Sequence, residues 1–173
     1  MKIQIADAAT QLLIEDGFDG WTLDRVAARS RCAKGLVVYH HRNRAALLAQ
    51  VAGVLRRRRV ERRLESLKRS GPQAIDALWQ VIEAEVASGE TTAWLSLLAV
   101  RDPEVVEATG RVSAEESALG PLLARALELD GDAEALIATT VAALDGFAIA
   151  LLRRTPKAVV REAYHRFWLG LLG

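Results

Sequence analysis

The chain has 173 residues, room for one large domain or for a small domain joined to a larger one. Its 51 % apolar content and single cysteine exclude a disordered chain and an internal disulfide and fit a reducing cytoplasm; no apolar run reaches a membrane span and no signal peptide is read, so no membrane partner is expected. The formal charge of +1 hides an asymmetry, because residues 1–63 hold 13 Lys+Arg against 6 Asp+Glu and residues 64–173 hold 10 against 16, and a basic head on an acidic body puts any polyanion at the head.

Ile5, Ala8, Ala9, Leu12 and Leu13 recur at i, i+3, i+4, i+7 and i+8, which predicts a first helix over Lys2 to Asp16 with one buried face. Gly17 suits a left-handed position at its end, and Phe18 can fold back under it. Thr22 is a good N-cap for a short second helix whose Val26 and Ala27 point inward. After a polar break over Arg29 to Cys32, a third short helix runs from Ala33 to His40, and Asn43 is placed to cap a fourth. Two short helices around a tight turn follow helix-turn-helix logic, in which one braces and the other meets a DNA groove. Leu36, Val38, Tyr39 and His40 cannot all be buried on so short a helix. Lys34, Tyr39 and His40 suit phosphates and base edges, Leu36 or Val38 suits a thymine methyl, and Gly35 permits close backbone approach. Thr22 and Arg44 start the second and fourth helices, whose N-termini attract phosphate. The competing reading is an ordinary helical hairpin. His40 and His41, with Cys32, make a poor metal set because neighbours on a helix point about 100° apart, and no metal is expected.

Ala8, Ala9, Leu12, Gly17, Phe18, Thr22, Val26, Ala27, Lys34, Gly35, Leu36, Val37, Tyr39, His40, Arg44, Leu47 and Leu48 together resemble the DNA-binding domain of the tetracycline-repressor (TetR) family of bacterial transcription regulators. The sequence departs from that pattern at Arg31, where the family usually turns on glycine. It departs again at Ala33, where a serine or threonine often caps the recognition helix, and at His41, where a buried phenylalanine is usual. The resemblance implies phosphate contacts at the positions of Thr22 and Arg44. It also implies a fourth helix linking two domains, a ligand pocket among helices four to eight, and a dimer formed through the last two helices.

The fourth helix is predicted from Ala45 to near Arg69. Its Arg56–Arg63 run reads either as attraction toward DNA or as a solvated face with Glu61 and Glu65 as partners. Ser70-Gly71-Pro72 breaks the chain, with Pro72 opening a fifth helix to Ala87. A sixth covers Thr92 to Val100. A seventh starts at Asp102-Pro103 with Val105, Val106, Ala108 and Val112, and reaches toward Leu129, interrupted near Gly110 and at Gly120-Pro121. After a turn at Asp130-Gly131-Asp132, an eighth helix spans Ala133 to Arg153 and a ninth runs from Pro156 to near Leu172. The last two are apolar over most of their girth, more than a chain of this size covers alone. That surplus predicts a homodimer through Leu144, Phe147, Leu151, Tyr164, Phe167 and Trp168. A buried hairpin in a monomer is the competing reading. Trp79, Trp94, Leu98, Thr139 and Thr140 are candidate pocket residues, since aromatics and isolated hydroxyls commonly line pockets. Asp145, inside an apolar helix, needs a basic partner, expected at the dimer contact.

The fold class expected is all-α with about nine helices: a helix-turn-helix DNA-binding domain over residues 1–48 and a larger ligand-binding and dimerisation domain over 49–173. The function expected is that of a cytoplasmic, dimeric, DNA-binding transcriptional regulator, read as a repressor of a palindromic operator. A small, mostly apolar effector would release it, and no cofactor is expected. One alternative is a helical interaction module whose basic head binds RNA or an acidic partner. An enzyme is the other, but no nucleophile with its base, paired carboxylates, metal ligands or Gly-rich phosphate loop stands in register.

Overall fold

A computed structural model describes residues 1–110, 117–128 and 132–172. Among them are ten helices and no strand. These are α1 (Lys2–Asp16), α2 (Leu23–Arg29), α3 (Lys34–His41), α4 (Arg44–Ser66), α5 (Pro72–Ala87), α6 (Glu90–Leu98), α7 (Pro103–Gly110), α8 (Leu119–Leu127), α9 (Ala133–Leu152) and α10 (Lys157–Leu172). The count exceeds nine because the region expected as a seventh helix holds both α7 and α8. Gly120-Pro121 does not divide it. Both residues lie in the first turn of α8, where proline's missing N–H has no intrahelical bond to lose. Val112 and the expected turn at Asp130-Gly131 lie outside the described residues.

Packing divides the chain into two compact units. Residues 1–58 and 88–111 form the first, and residues 59–87 and 112–173 form the second.

In the first unit, Ile5, Ala9, Leu12 and Leu13 turn the inner face of α1 onto Val26, Val37, Leu47, Leu48 and Val51. Trp21 anchors this small core, because its indole N–H donates to the Ala9 carbonyl at 2.8 Å and so satisfies the one polar atom that its burial would strand. Gly17 ends α1 at φ +69°, with its N–H returned to the Leu13 carbonyl at 3.1 Å. Gly89 allows the turn before α6 to approach α1 closely: at φ +84°, a Cβ there would lie 3.0 Å from the Ile14 carbonyl oxygen.

The second unit is built on Leu78, Trp79, Ile82, Leu123, Leu144, Tyr164 and Trp168. Tyr164 sits at its centre, its ring 5.1 Å from that of Trp79 and 5.4 Å from that of Phe147. Its hydroxyl donates to the Ile75 carbonyl at 2.6 Å, and burial pushes the phenol's pKa far upward.

The Arg56–Arg63 run follows neither reading of the sequence. Arg59 and Arg63 are each 6 % exposed. Arg59 donates to Glu85 at 3.2 Å and to Asp145 at 2.6 Å, and Arg63 donates to Asp145 at 3.1 Å. In the first unit, Arg56 donates to the Thr109 carbonyl at 2.6 Å, and Arg58 lies 3.8 Å from Asp7. Arg57 does stay exposed. Asp145 therefore finds its basic partners inside its own unit rather than across a dimer contact. Glu85, the deep carboxylate of this cluster, needs such partners, since stranding one member of a buried pair costs about 3–5 kcal/mol.

Candidate nucleic-acid interface

Three helix starts and one short helix make up the candidate site. Thr22 has extended backbone and accepts the Arg25 amide on its hydroxyl at 3.2 Å, the geometry of an N-cap on α2. Asn43 does the same for α4, its Oδ1 accepting the Ala46 amide at 2.7 Å. Ala33 holds the N-cap position of α3 with no side-chain acceptor; its carbonyl takes the Leu36 amide at 2.9 Å, and the amides of Lys34 and Gly35 receive no side-chain cap. Arg31 makes the turn between α2 and α3 at φ +54°. That conformation costs a non-glycine residue about 1–2 kcal/mol, so the substituted turn keeps its shape at the expense of stability.

On α3, Val37 and His41 face the core. Lys34, Gly35, Val38 and Tyr39 form the outward row, with Tyr39 80 % exposed and Val38 40 %. Both side chains are therefore accessible to a ligand. Leu36 and His40 are half-buried, and the His40 ring meets that of Tyr39 edge-on at 5.2 Å. No side chain fills the space above Gly35, so a backbone can come close there.

His41 is 4 % exposed. Its Nε2 lies 3.3 Å from the Lys2 carbonyl and therefore carries the proton, which leaves Nδ1 as a buried acceptor with no partner among the described residues. Burial lowers its pKa below the ordinary value of 6.5.

Two relationships are invisible in the sequence. Lys34 is ion-paired to Asp24 on α2, with both side chains exposed. The Arg44 guanidinium lies over the Phe18 ring at 4.8 Å and the Trp21 ring at 5.4 Å. Cation–π contact holds the fork at the start of α4 without removing its charge. The one available signal was Trp21 standing immediately before the Thr22 cap.

The candidate pocket residues divide between the two units. Trp94 and Leu98 belong to the first unit, where Trp94 is buried beneath Arg56 and Leu98 is 49 % exposed. Trp79, Thr139 and Thr140 belong to the second. There, Trp79 is core and Thr139 is exposed. Thr140 lines an apolar cavity of about 20 Å³ with Arg63, Leu123 and Leu144, room for one water-sized guest.

The candidate dimer residues also divide. Leu144, Tyr164 and Trp168 are at most 2 % exposed and have no surface to offer a partner, because the protomer's own core already covers them. Phe147, Leu151 and Phe167 are half-buried. The outward face of α9 carries Ala135, Ala138, Ala142, Gly146 and Ile149 instead, and that of α10 carries Val159, Ala163 and Leu169. Residues 134–152 are long and apolar enough to cross a membrane by length and composition, contrary to the expectation from sequence. Asp145, tied to Arg59 and Arg63, interrupts that segment.

Residues 5–51 match the family model described as bacterial regulatory proteins, tetR family. Among solved structures, the chain is similar to a protein of Rhodococcus sp. described as a TetR-family transcriptional regulator, with a TM-score of 0.74 and 19 % identity over 99 % of this chain and 98 % of that one. A protein of Rhodococcus sp. RHA1 described as a transcriptional regulator gives a TM-score of 0.75 and 17 % identity over 98 % and 94 %. The multidrug binding protein EbrR, solved in complex with imidazole, gives 0.67 and 23 % over 95 % and 93 %. At these identities the likeness concerns the fold. No curated protein matches the sequence.

Proposed function

We propose, from the premise that residues 5–51 belong to the tetR family of bacterial regulatory proteins, that this chain is a homodimeric, DNA-binding transcriptional repressor. Residues 1–48 read a palindromic operator, and residues 49–173 bind a small effector and hold the dimer together. The repressor works in the cytoplasm, where its operator lies.

The observation that carries this reading is the outward row of α3, Lys34, Gly35, Val38 and Tyr39, lying between the capped starts of α2 and α4. In the complex, α3 enters the major groove. Thr22 and the amides of α2 take one phosphate, and Arg44 with the amides of α4 takes another. These contacts set register without reading sequence. Base discrimination falls to Tyr39, whose hydroxyl both donates and accepts, and to Val38, whose methyls suit thymine. Lys34 supplies charge, and Gly35 lets the backbone come near. Ala33 leaves the amides of Lys34 and Gly35 open to a phosphate. Leu36 and His40, half-buried, hold the helix on its base.

The exposed small-residue stripe on α9 supports the dimer, since an uncharged face of this length is poorly suited to water. Two heads related by a two-fold axis read two half-sites, and an effector releases them only by favouring an arrangement that fits both half-sites less well. The imidazole complex of EbrR supports small-molecule binding as a property of this fold.

Selection of bound duplexes from a random pool at near-physiological salt tests the reading. Enrichment of an inverted repeat is the expected result. Binding that enriches nothing and vanishes as salt rises would leave the head with only non-specific attraction and overturn it.

A further inference from the structure

The chain leaving α4 and entering α5 builds a groove of its own in the second unit. The backbone N–H groups of Lys68 and Arg69 return to the carbonyls of Glu65 and Ser66 at 3.3 Å each. Gly71 then takes φ +56° and donates its N–H to the Ala126 carbonyl of α8 at 2.8 Å. This stitch fixes the turn beside the second half of α8 and frames a groove of about 550 Å³. Leu64, Leu67 and Leu122 give it apolar walls, and Lys68, Arg69 and Arg125 give it a basic edge.

The three cations are not equivalent. Lys68 is held by Glu65. Arg69 and Arg125 are exposed, and their side chains make no hydrogen bond or ion pair among the described residues. Residues 64–173 carry an excess of carboxylates, so two guanidinium groups on one groove are a local reversal of sign rather than a share of a general basic surface. A volume of this size falls within the range of small-molecule sites.

We propose that this groove binds a single-chain anionic amphiphile, with its carboxylate held by Arg69 and Arg125 and its hydrocarbon laid against the three leucines. Guanidinium is the matching partner, because its fork pairs both oxygens of a carboxylate. The chemistry differs from that of a mostly apolar effector, since the charged head supplies the specificity. Binding stands on the groove alone; only its regulatory consequence rests on the repressor reading.

Titration calorimetry on the full chain tests this with decanoate below its micellar range, with decanol as the uncharged chain and inorganic phosphate as the chainless anion. Decanoate is expected to bind saturably and about tenfold or more tighter than decanol, with phosphate failing to compete. Arg69→Gln with Arg125→Gln is expected to remove that advantage, and Arg69→Lys with Arg125→Lys to keep part of it. Circular dichroism confirms that each pair folds. Equal affinities for decanoate and decanol, an unchanged affinity in the Gln pair, or binding only to anionic vesicles would overturn the proposal. A mobility shift with the selected operator on the same samples separates the two readings. Duplex binding without decanoate binding sinks the groove, and decanoate binding without duplex binding sinks the repressor.

Discussion

The Lys34 ammonium lies 2.8 Å from the Asp24 carboxylate, bridging α3 to α2 on the face proposed to meet DNA. Both side chains are more than half exposed, so the pair contributes little to stability, about 0–1 kcal/mol. Its effect falls on binding, because a phosphate must compete with Asp24 for Lys34. Asp24→Asn is expected to tighten duplex binding and steepen its salt dependence. Lys34→Ala is expected to weaken binding and flatten the slope by about 0.9, the value of one phosphate. Fluorescence anisotropy over a salt series reads both. An Asp24→Asn protein with unchanged affinity and slope would remove Lys34 from the phosphate contacts.

Arg44 is aimed by the Phe18 and Trp21 rings, so charge alone does not replace it. Arg44→Ala is expected to lower affinity for selected and scrambled duplexes alike and to reduce the salt slope by about 0.9. Arg44→Lys is expected to restore the slope but only part of the affinity, since an ammonium lacks the planar fork that stacks on the rings. Full recovery by lysine would show that the aromatic platform does not position the contact.

His41 makes the first unit sensitive to acid. Its folded pKa is lowered by burial, so as pH falls below 6.5 the unfolded chain takes the proton first. Its contribution is fully present above 6.5 and is lost as pH falls toward the depressed folded value. His41→Phe is expected to raise stability at neutral pH by about 1 kcal/mol, by removing the unpartnered Nδ1, and to raise it further at pH 5. Urea melts at pH 7.5 and pH 5 measure the difference. A pH-independent gain would mean that His41 carries no proton linkage.

The cluster of Arg59, Arg63, Glu85 and Asp145 is expected to be costly to break. Arg59→Ala leaves Glu85, 1 % exposed, short of a cation and is predicted to destabilise by about 3–5 kcal/mol. Arg57→Ala, at an exposed position two residues away, is predicted to stay within about 0.5 kcal/mol. Similar denaturation midpoints for the two variants would show the cluster to be dispensable.

Ala142→Arg puts a charge in the middle of the α9 stripe without touching the protomer's core. Sedimentation velocity is expected to show a monomer with unchanged helix content. A dimer that survives the substitution would move the interface away from this face.

How much of this was legible in the sequence depended on the range of the interactions. Thr22, Asn43 and Gly17 act within one turn of their own helices, so their caps and the bounds of α1 could be read from spacing, and α3 lies one residue later than expected at each end. Arg59 and Asp145 are 86 residues apart, and nothing in an arginine run states that carboxylates arrive from two other helices to neutralise it. The same limit applies to α9 and α10. An apolar residue on every side announces that a helix is covered, but not which side its own protomer covers, so Leu144, Tyr164 and Trp168 looked as available as Ala142. The Arg44 platform was hidden for a related reason, since the sequence reads Phe18 as folded back under α1 and sets neither Phe18 nor Trp21 beside Arg44.

The four tryptophans fall two and two, Trp21 and Trp94 in the first unit and Trp79 and Trp168 in the second, and none is more than 8 % exposed. Each pair is a built-in optical reporter, with emission at short wavelength while its indoles stay dry and a red shift when they meet water. Replacing Trp94 and Trp21 with phenylalanine silences the first unit, and replacing Trp79 and Trp168 silences the second. Ordinary fluorescence then follows the melting of each unit separately, without any attached dye.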